Sequence, residues 1–448
     1  MSKTEAIDVR ALINERPLGA FQKLVVFLGF LIIALDGFDV AIMSFIAPQL
    51  KQEWGVTNAM LGPVLSAALI GLALGALVAG PLADRFGRKG VLLCSVFFFG
   101  VWTLATALST EVSHLIFFRF MTGLGLGAAM PNASTLVSEY APDRRRSFLV
   151  TVVFCGFSLG AAGGGFLSGW MIPAFGWHSV LVLGGVLPLL VLPLLLFKLP
   201  ESVRFLVARQ APAARIHRIV EQLAPGVSSE RSRFVLPTAP ASGNAIAVVL
   251  SPQYRFGTYM LWLSYFAGLF LVYLLGNWLP TLVKESGYSV QQAATITALY
   301  QIGGPLGCLS AGWLMDRLSP HRTLALIYLV GGCLTFAIGQ SAGQFAVLGM
   351  LAFAVGFCMN GASTGTNALA AGFYPVEARA TGASWMHSAG RLGAILSAFA
   401  GAQMLALGWS FQLIFALLML PALVTALALL AKGSHVRRGL APAIVRQV

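Results

Sequence analysis

Apolar residues run in long blocks along this chain, with polar residues gathered in short clusters between them. The blocks fall at 24–48, 60–83, 90–109, 113–139, 148–170, 178–198, 255–280, 291–315, 322–340, 343–370, 381–404 and 409–431. Each is near the roughly 20 residues a helix needs to cross the hydrocarbon core of a bilayer, and the longer ones must tilt or project. Inside lipid the backbone must satisfy its own N–H and C=O groups, which a helix does. The pattern predicts an all-α integral membrane protein of twelve transmembrane helices, here called spans one to twelve. The longest hydrophilic stretch, 200–253, divides an N-terminal six-helix bundle (1–199) from a C-terminal one (254–448). That linker is rich in Pro, Ala and Ser, and its segment "ARIHRIVEQLAP" reads as a short surface helix.

Composition agrees. The 448 residues are 57% hydrophobic and only 10% charged, too little charge to cover a soluble protein of this size. The first 21 residues are polar and the first apolar block is too long for the core of a signal peptide, so that block reads as a span. The five cysteines, Cys94, Cys155, Cys308, Cys333 and Cys358, sit within apolar blocks with no C-x-x-C pair. They read as small packing residues, and neither a disulfide framework nor a metal or other cofactor is expected.

The net charge of +13 would suit nucleic acid, but its distribution points elsewhere. Of the 29 Lys and Arg, the loops of one side carry only Lys51 and Lys284, and Arg119 and Arg391 lie inside spans. The rest fall in tails and loops of the other side. That asymmetry places both termini in the cytoplasm and leaves no basic face for nucleic acid.

The halves repeat. "GPLADRFGRKG" (Gly80–Gly90) follows span two and "GWLMDRLSPHR" (Gly312–Arg322) follows span eight, with Gly80, Leu82, Asp84 and Arg85 matching Gly312, Leu314, Asp316 and Arg317 at an offset of 232. After spans four and ten, "YAPDRRRS" and "FYPVEARAT" align Pro142 and Arg146 with Pro375 and Arg379 at 233. Parallel six-plus-six repeats are a common plan of secondary transporters.

Charges inside spans are costly, by at least ~2.5–3.5 kcal/mol each, and mark function by default. In "IIALDGFDVAIM", Asp36 and Asp39 share one helix face, with Asp36 about 18 Å along span one, near the midplane. A carboxyl at that depth resists ionisation, and two in one turn resist it further. Such groups can carry a proton, or form a structural pair bonded to another helix. Gly37 between them leaves room for a close neighbour.

Arg391 lies roughly 15 Å into span eleven with His387 one turn earlier. A guanidinium there needs an anion, either a substrate carboxylate held bidentately or a protein carboxylate. His387 can shuttle protons or simply pack. Arg119, about two turns into span four, can steer an anion inward or pair with Asp36 or Asp39. Glu139, at the cytoplasmic end of span four, belongs to a cytoplasmic salt-bridge network, and Arg144 in the loop beyond it is a gating candidate.

In span seven Trp262, Tyr265, Leu269, Tyr273 and Asn277 fall at steps of three or four, one face that can sandwich an aromatic ring or serve packing. Trp278 reads as an interfacial anchor. Asn360, Thr364 and Asn367 in span ten, Asn132 in span four, and Tyr300 and Gln301 in span eight are further candidates to line a cavity. Two motifs mislead. "GLGLG" in span four follows no strand, as a nucleotide loop would, and "GFSLG" around Ser158 lacks the strand–turn–helix setting of a hydrolase, so both read as packing.

The loop G-x-L-x-D-R-x-G-R-K resembles the signature loop of the major facilitator superfamily. The D-G-x-D of span one, "RFMTGLGLGAAMPNASTLVSEY" in span four and "GRLGAILS" in span eleven resemble its aromatic acid:proton symporter branch, which includes transporters of 4-hydroxybenzoate and protocatechuate. The resemblance covers essentially the whole chain. It implies a monomeric transporter in the bacterial inner membrane whose partners are protons, a small aromatic acid and lipid. It implies proton coupling at Asp36 and Asp39, and an inside gate at Asp84, Arg85 and Arg88, with Asp316 and Arg317 as its degenerate second copy. A proton antiporter exporting an acid or a drug is the alternative on the same fold.

Overall fold

The computed structural model describes residues 6–228, 232–235, 245–341, 343–374 and 376–444. Pro375 and the side chains of Asp84 and Arg379 lie outside the described set. Among the described residues, twelve helical spans occupy the positions of the apolar blocks, eleven of them as single helices. Spans one to six are Ala20–Trp54, Asn58–Phe86, Arg88–Ala107, Val112–Tyr140, Arg146–Phe175 and Trp177–Lys198. Spans seven to eleven are Arg255–Glu285, Val290–Arg317, Pro320–Gln340, Phe345–Phe373 and Val376–Ala406. Span twelve is broken at Leu418 into Phe411–Leu417 and Met419–Ile444. Several helices outrun their apolar blocks. The 35 residues of span one reach about 52 Å, well beyond the hydrocarbon, because helical hydrogen bonding continues into the polar flanks. Ten of the twelve are apolar enough to cross by composition alone; the remaining two are spans eight and eleven, which carry Gln301, His387 and Arg391.

Boundaries follow local chemistry. Gly87, at φ +88°, is the single residue between spans two and three, and Gly176, at φ +77°, separates spans five and six. Both need a conformation that side chains disfavour. Ser289 and Gln292 cap span eight reciprocally.

By their internal contacts the residues fall into two units. The first gathers Met1–Val40, Ile70–Gly160 and Leu181–Pro240; the second gathers Ala41–Leu69, Ala161–Val180 and Ala241–Val448. The core of the first unit joins Leu28 and Ile32 of span one, Val96 and Phe99 of span three, and Leu136 and Val137 of span four. The linker folds onto the same core. Its helix Ala213–Leu223 buries Ile216 and Val220, one turn apart, and leaves Arg215 and Arg218 exposed. One element departs from the all-helical reading. Ala6–Asp8 pairs in parallel with Arg233–Val235, Ile7 opposite Phe234. Asp8 then caps the helix Val9–Glu15 by accepting from the backbone N–H of Arg10 at 2.8 Å.

Within each unit the same helix contacts recur at the repeat spacing. A Cβ on Gly71 would stand 2.1 Å from the Phe120 carbonyl oxygen, and one on Gly75 2.2 Å from that of Leu124. Gly303 and Gly307, 232 residues on, meet the Phe353 and Phe357 carbonyls at 2.2 and 1.9 Å. Gly160 on Ala34 (1.9 Å) is matched by Gly393 on Phe266 (2.2 Å). So spans two and four, and one and five, touch backbone to backbone as spans eight and ten, and seven and eleven, do. Without a hydrophobic force between helices in lipid, such close approach is what holds them. Gly160 closes the "GFSLG" motif, so the motif serves this contact.

Trp278 corrects an expectation. It is fully buried rather than interfacial, because Gly401 of span eleven leaves the hole its indole fills, a Cβ there standing 2.4 Å from the ring. Position along a span gives depth, but not which neighbour lies beside it.

Candidate functional site

In the first unit, three helices converge on Asp39. Arg119 of span four donates from Nη1 to Asp39 Oδ2 at 2.9 Å and from Nη2 to the Asp39 backbone carbonyl at 3.1 Å. Thr103 of span three donates to Asp39 Oδ1 at 2.5 Å. Asp39, Thr103 and Arg119 are each 0% exposed, and so is Asp36 one turn earlier. Of the two arrangements open to Arg119, the structure shows the pairing one, with its guanidinium on Asp39. Gly37 lets span five close in at this level, a Cβ there falling 2.0 Å from the Phe157 carbonyl oxygen. Water is thereby kept from the pair and its attraction is little screened. Asn132, further along span four, is buried and donates to its own helix at the Ala128 carbonyl.

In the second unit, Tyr265 of span seven is the hub. Its ring meets His387 edge-on at 5.2 Å, and its hydroxyl lies in reach of Ser363 and Asn367 of span ten, with Arg391 close enough to act on it electrostatically. Gly390, one residue before Arg391, makes room for the Tyr265 ring, which a Cβ would approach to 2.4 Å. Tyr265 is buried, Arg391 half-buried and His387 exposed. An apolar ring wall, hydroxyl and amide tips and a guanidinium thus stand together, a set suited to a ring bearing a carboxylate. Trp262 extends the wall to Trp385 at 5.7 Å. Leu269 and Tyr273 are half-buried on the same helix, and Asn277 and Gln301 are buried. Tyr300, Asn360 and Thr364 spend their polar groups differently. Tyr300, fully buried, donates to the Val272 carbonyl at 3.2 Å, Asn360 donates to Gly356, and Thr364 lies 3.0 Å from the Cys308 sulfur. Tyr300 thus ties span eight to span seven and Thr364 ties span ten to span eight, while Asn360 bonds within its own helix.

Where spans two and three meet in the first unit, Glu139 is buried, 3.8 Å from Arg88 Nε, and accepts from the Ser202 hydroxyl. Glu201 accepts at one oxygen from the backbone N–H of Arg88 at 2.8 Å, of Lys89 at 3.2 Å and of Ser202 at 2.8 Å. It therefore caps span three, placing a carboxylate on the positive end of that helix. Gly87 permits it, since a Cβ there would lie 2.2 Å from the carboxylate. Arg10 of the N-terminal helix donates to the carbonyls of Glu139 and Ala141 and pairs with Asp143. Arg85 and Arg144 are exposed, Arg85 over the Phe86 ring and Arg144 on the Arg16 carbonyl. In the second unit Asp316 and Arg317 are exposed, with Arg317 stacked on Trp313 at 4.1 Å. Among the described residues no three His, Cys, Asp or Glu side chains gather to hold a metal.

The model of the Major Facilitator Superfamily matches residues 29–354. The chain belongs to the Major Facilitator Superfamily. It is 52% identical to the 4-hydroxybenzoate transporter PcaK of Pseudomonas putida over 431 residues, 96% of each chain. It is 50% identical to the gallate transporter of the same species, over 98% of this chain and 97% of that one. The crystal structure of a D-xylose-proton symporter shares its fold, with a TM-score of 0.70 at 18% identity over 92% of this chain and 97% of that one. This major facilitator is a multi-pass membrane transporter and not an enzyme.

Reading the sequence alone overlooks Thr103, Ser363, Glu201 and Ser202 in this major facilitator. Hydroxyls inside spans are common and carry no mark of their partner. Glu201 did carry one, as a lone carboxylate directly after the last residues of span six, where a helix N-terminus is the natural ligand.

Proposed function

We propose that this protein imports a small, hydroxybenzoate-like aromatic carboxylate together with protons by alternating access. The observation that carries the reading is the fully buried Asp39–Arg119 pair, with Asp36 beside it and a separate Tyr265–His387–Arg391 set for the substrate. A carboxylate sealed against a guanidinium is a charge-neutral unit. Adding a proton to Asp39 leaves Arg119 uncompensated, so protonation changes which helix arrangement is favourable. In this reading Asp36 and Asp39 carry the proton and Arg391 holds the substrate carboxylate. Tyr265 and Trp262 meet the ring, and Ser363 and Asn367 take its hydroxyls. Asp84, Arg85, Arg88, Glu139 and Arg144, with Asp316 and Arg317, form the inside gate. The relatives named as 4-hydroxybenzoate and gallate transporters support the substrate class. The positive-inside pattern supports cytoplasmic termini in an inner membrane, and the protein acts as a monomer.

The test is uptake of labelled 4-hydroxybenzoate into liposomes holding the purified protein, with and without an inward proton gradient. Gradient-driven uptake that Asp39→Asn loses is expected. Uptake indifferent to the gradient would overturn proton coupling. Export of preloaded substrate driven by the same inward gradient would make the protein an antiporter.

A further inference from the structure

We infer that Thr103 is a positioning residue for proton transfer: its hydroxyl switches partner as Asp39 gains and loses the proton. The inference rests on the proton-coupling reading above and takes it to the level of single atoms. Both carboxylate oxygens of Asp39 are occupied, Oδ2 by Arg119 at 2.9 Å and Oδ1 by Thr103 at 2.5 Å. Each oxygen keeps a further lone pair that can take a proton, but in a site closed to water the new O–H needs an acceptor: a guanidinium has none to offer, whereas the Thr103 hydroxyl oxygen stands beside Oδ1. Arg119 cannot shed its own proton. It is also held by the Asp39 backbone carbonyl at 3.1 Å, a bond that does not depend on the state of the carboxyl. The proton therefore arrives at Oδ1, on the Thr103 side.

A threonine hydroxyl has an alternative that an arginine lacks. In a helix it can donate to the carbonyl four residues earlier. Neighbouring threonines do so here: Thr106 donates to the Trp102 carbonyl at 2.8 Å and Thr122 to that of Phe118 at 2.9 Å. For Thr103 that carbonyl belongs to Phe99. When Asp39 takes a proton on Oδ1, the Thr103 hydroxyl turns to donate to Phe99 and accepts from the new O–H. When the proton leaves, it turns back. Neither the Thr103 hydroxyl nor Oδ1 of Asp39 is left without a partner in either state, which matters at a site that is 0% exposed. No covalent bond other than the O–H of Asp39 forms or breaks.

The charged groups around Asp39 are Arg119 on span four and Asp36 on its own helix. Span three carries Arg88, Lys89 and Cys94, nine or more positions before Thr103; span four also carries His114 and Glu139 towards its ends. Span five, packed on span one through Gly37 and Gly160, carries Cys155 at mid-helix and Arg146 at its start. None of these is altered by substitution at Thr103.

Removing the hydroxyl takes a charge-assisted bond from the ionised form and only a neutral bond from the protonated one, so the balance still moves towards the protonated form. Thr103→Val should move the alkaline limb of gradient-driven 4-hydroxybenzoate uptake to higher pH by about one unit, the difference between a hydrogen bond to a charged group and one to a neutral group. Proton release becomes harder, so maximal rate should fall while half-saturation by protons improves. Thr103→Ser keeps the hydroxyl and should follow wild type. A Thr103→Val limb that coincides with wild type, in uptake that is gradient-driven, overturns the inference. Should the valine variant not fold, Thr103→Cys keeps the size with a weaker donor, and the same shift or coincidence decides. Wild-type uptake that ignores the gradient would instead overturn the coupling reading, however Thr103 variants behave.

Discussion

Arg119→Leu tests whether the buried pair acts as one unit. The guanidinium makes two bonds to Asp39, at 2.9 and 3.1 Å, and neither partner has any exposed surface. Removing one side of such a pair leaves the other charge buried and uncompensated, which costs about 3–5 kcal/mol. Thermal midpoints shift by roughly 2–4 °C per kcal/mol for a unit of 150–250 residues, so a drop of roughly 6–20 °C is expected. Asp39→Leu should lose a similar amount, because it strands Arg119. The double variant removes both charges and should recover most of the loss, giving a coupling of about 2 kcal/mol or more where independent sites would show less than about 0.5. The assay is melting of the purified protein in detergent, followed by tryptophan fluorescence, for wild type, both single variants and the double. Transport is irrelevant to this readout, so an inactive variant still informs. Additive losses in the double variant would refute the reasoning and return Arg119 to the role of a substrate-steering residue.

Three further predictions follow from the geometry. Gly75→Leu and Gly307→Leu should each abolish assembly of their own unit, since even a Cβ would stand 2.2 and 1.9 Å from a backbone oxygen, whereas Gly312→Ala, facing open space, should express and melt as wild type. Glu201→Ala should lower the melting midpoint by the worth of a helix cap, about 0.5–2 kcal/mol, and Gly87→Ala should do the same by pushing the carboxylate away; unchanged melting in both would remove the capping role. Arg391→Lys keeps the charge but not the planar fork, so KM for 4-hydroxybenzoate should rise about tenfold or more with Vmax less affected; wild-type KM would show that Arg391 does not hold the carboxylate.

Much of this molecule was legible before any fold was known, for reasons of length and cost. Twelve helices follow from twelve apolar blocks of bilayer length, because lipid leaves the backbone few other ways to satisfy itself. The two-fold repeat was visible in Asp84 and Asp316 and reappears in contacts as Gly71 and Gly303. Asp36, Asp39, Arg119 and Arg391 stood out because a charge in a span is an anomaly. Tertiary structure decided whom each of them meets. Arg119 is 80 residues from Asp39 and Thr103 is 64 away, and nothing in their spacing prefers Asp39 over Asp36. Trp278 could be given a depth but not a neighbour, and Gly401 made it a core residue. Tyr300 and Thr364, polar and well placed for a cavity, turned out to bond helix to helix. A sequence records position along each helix, which sets depth and cost. The rotation of one helix against the next is set by small residues far apart in the chain, and that rotation chooses the partners.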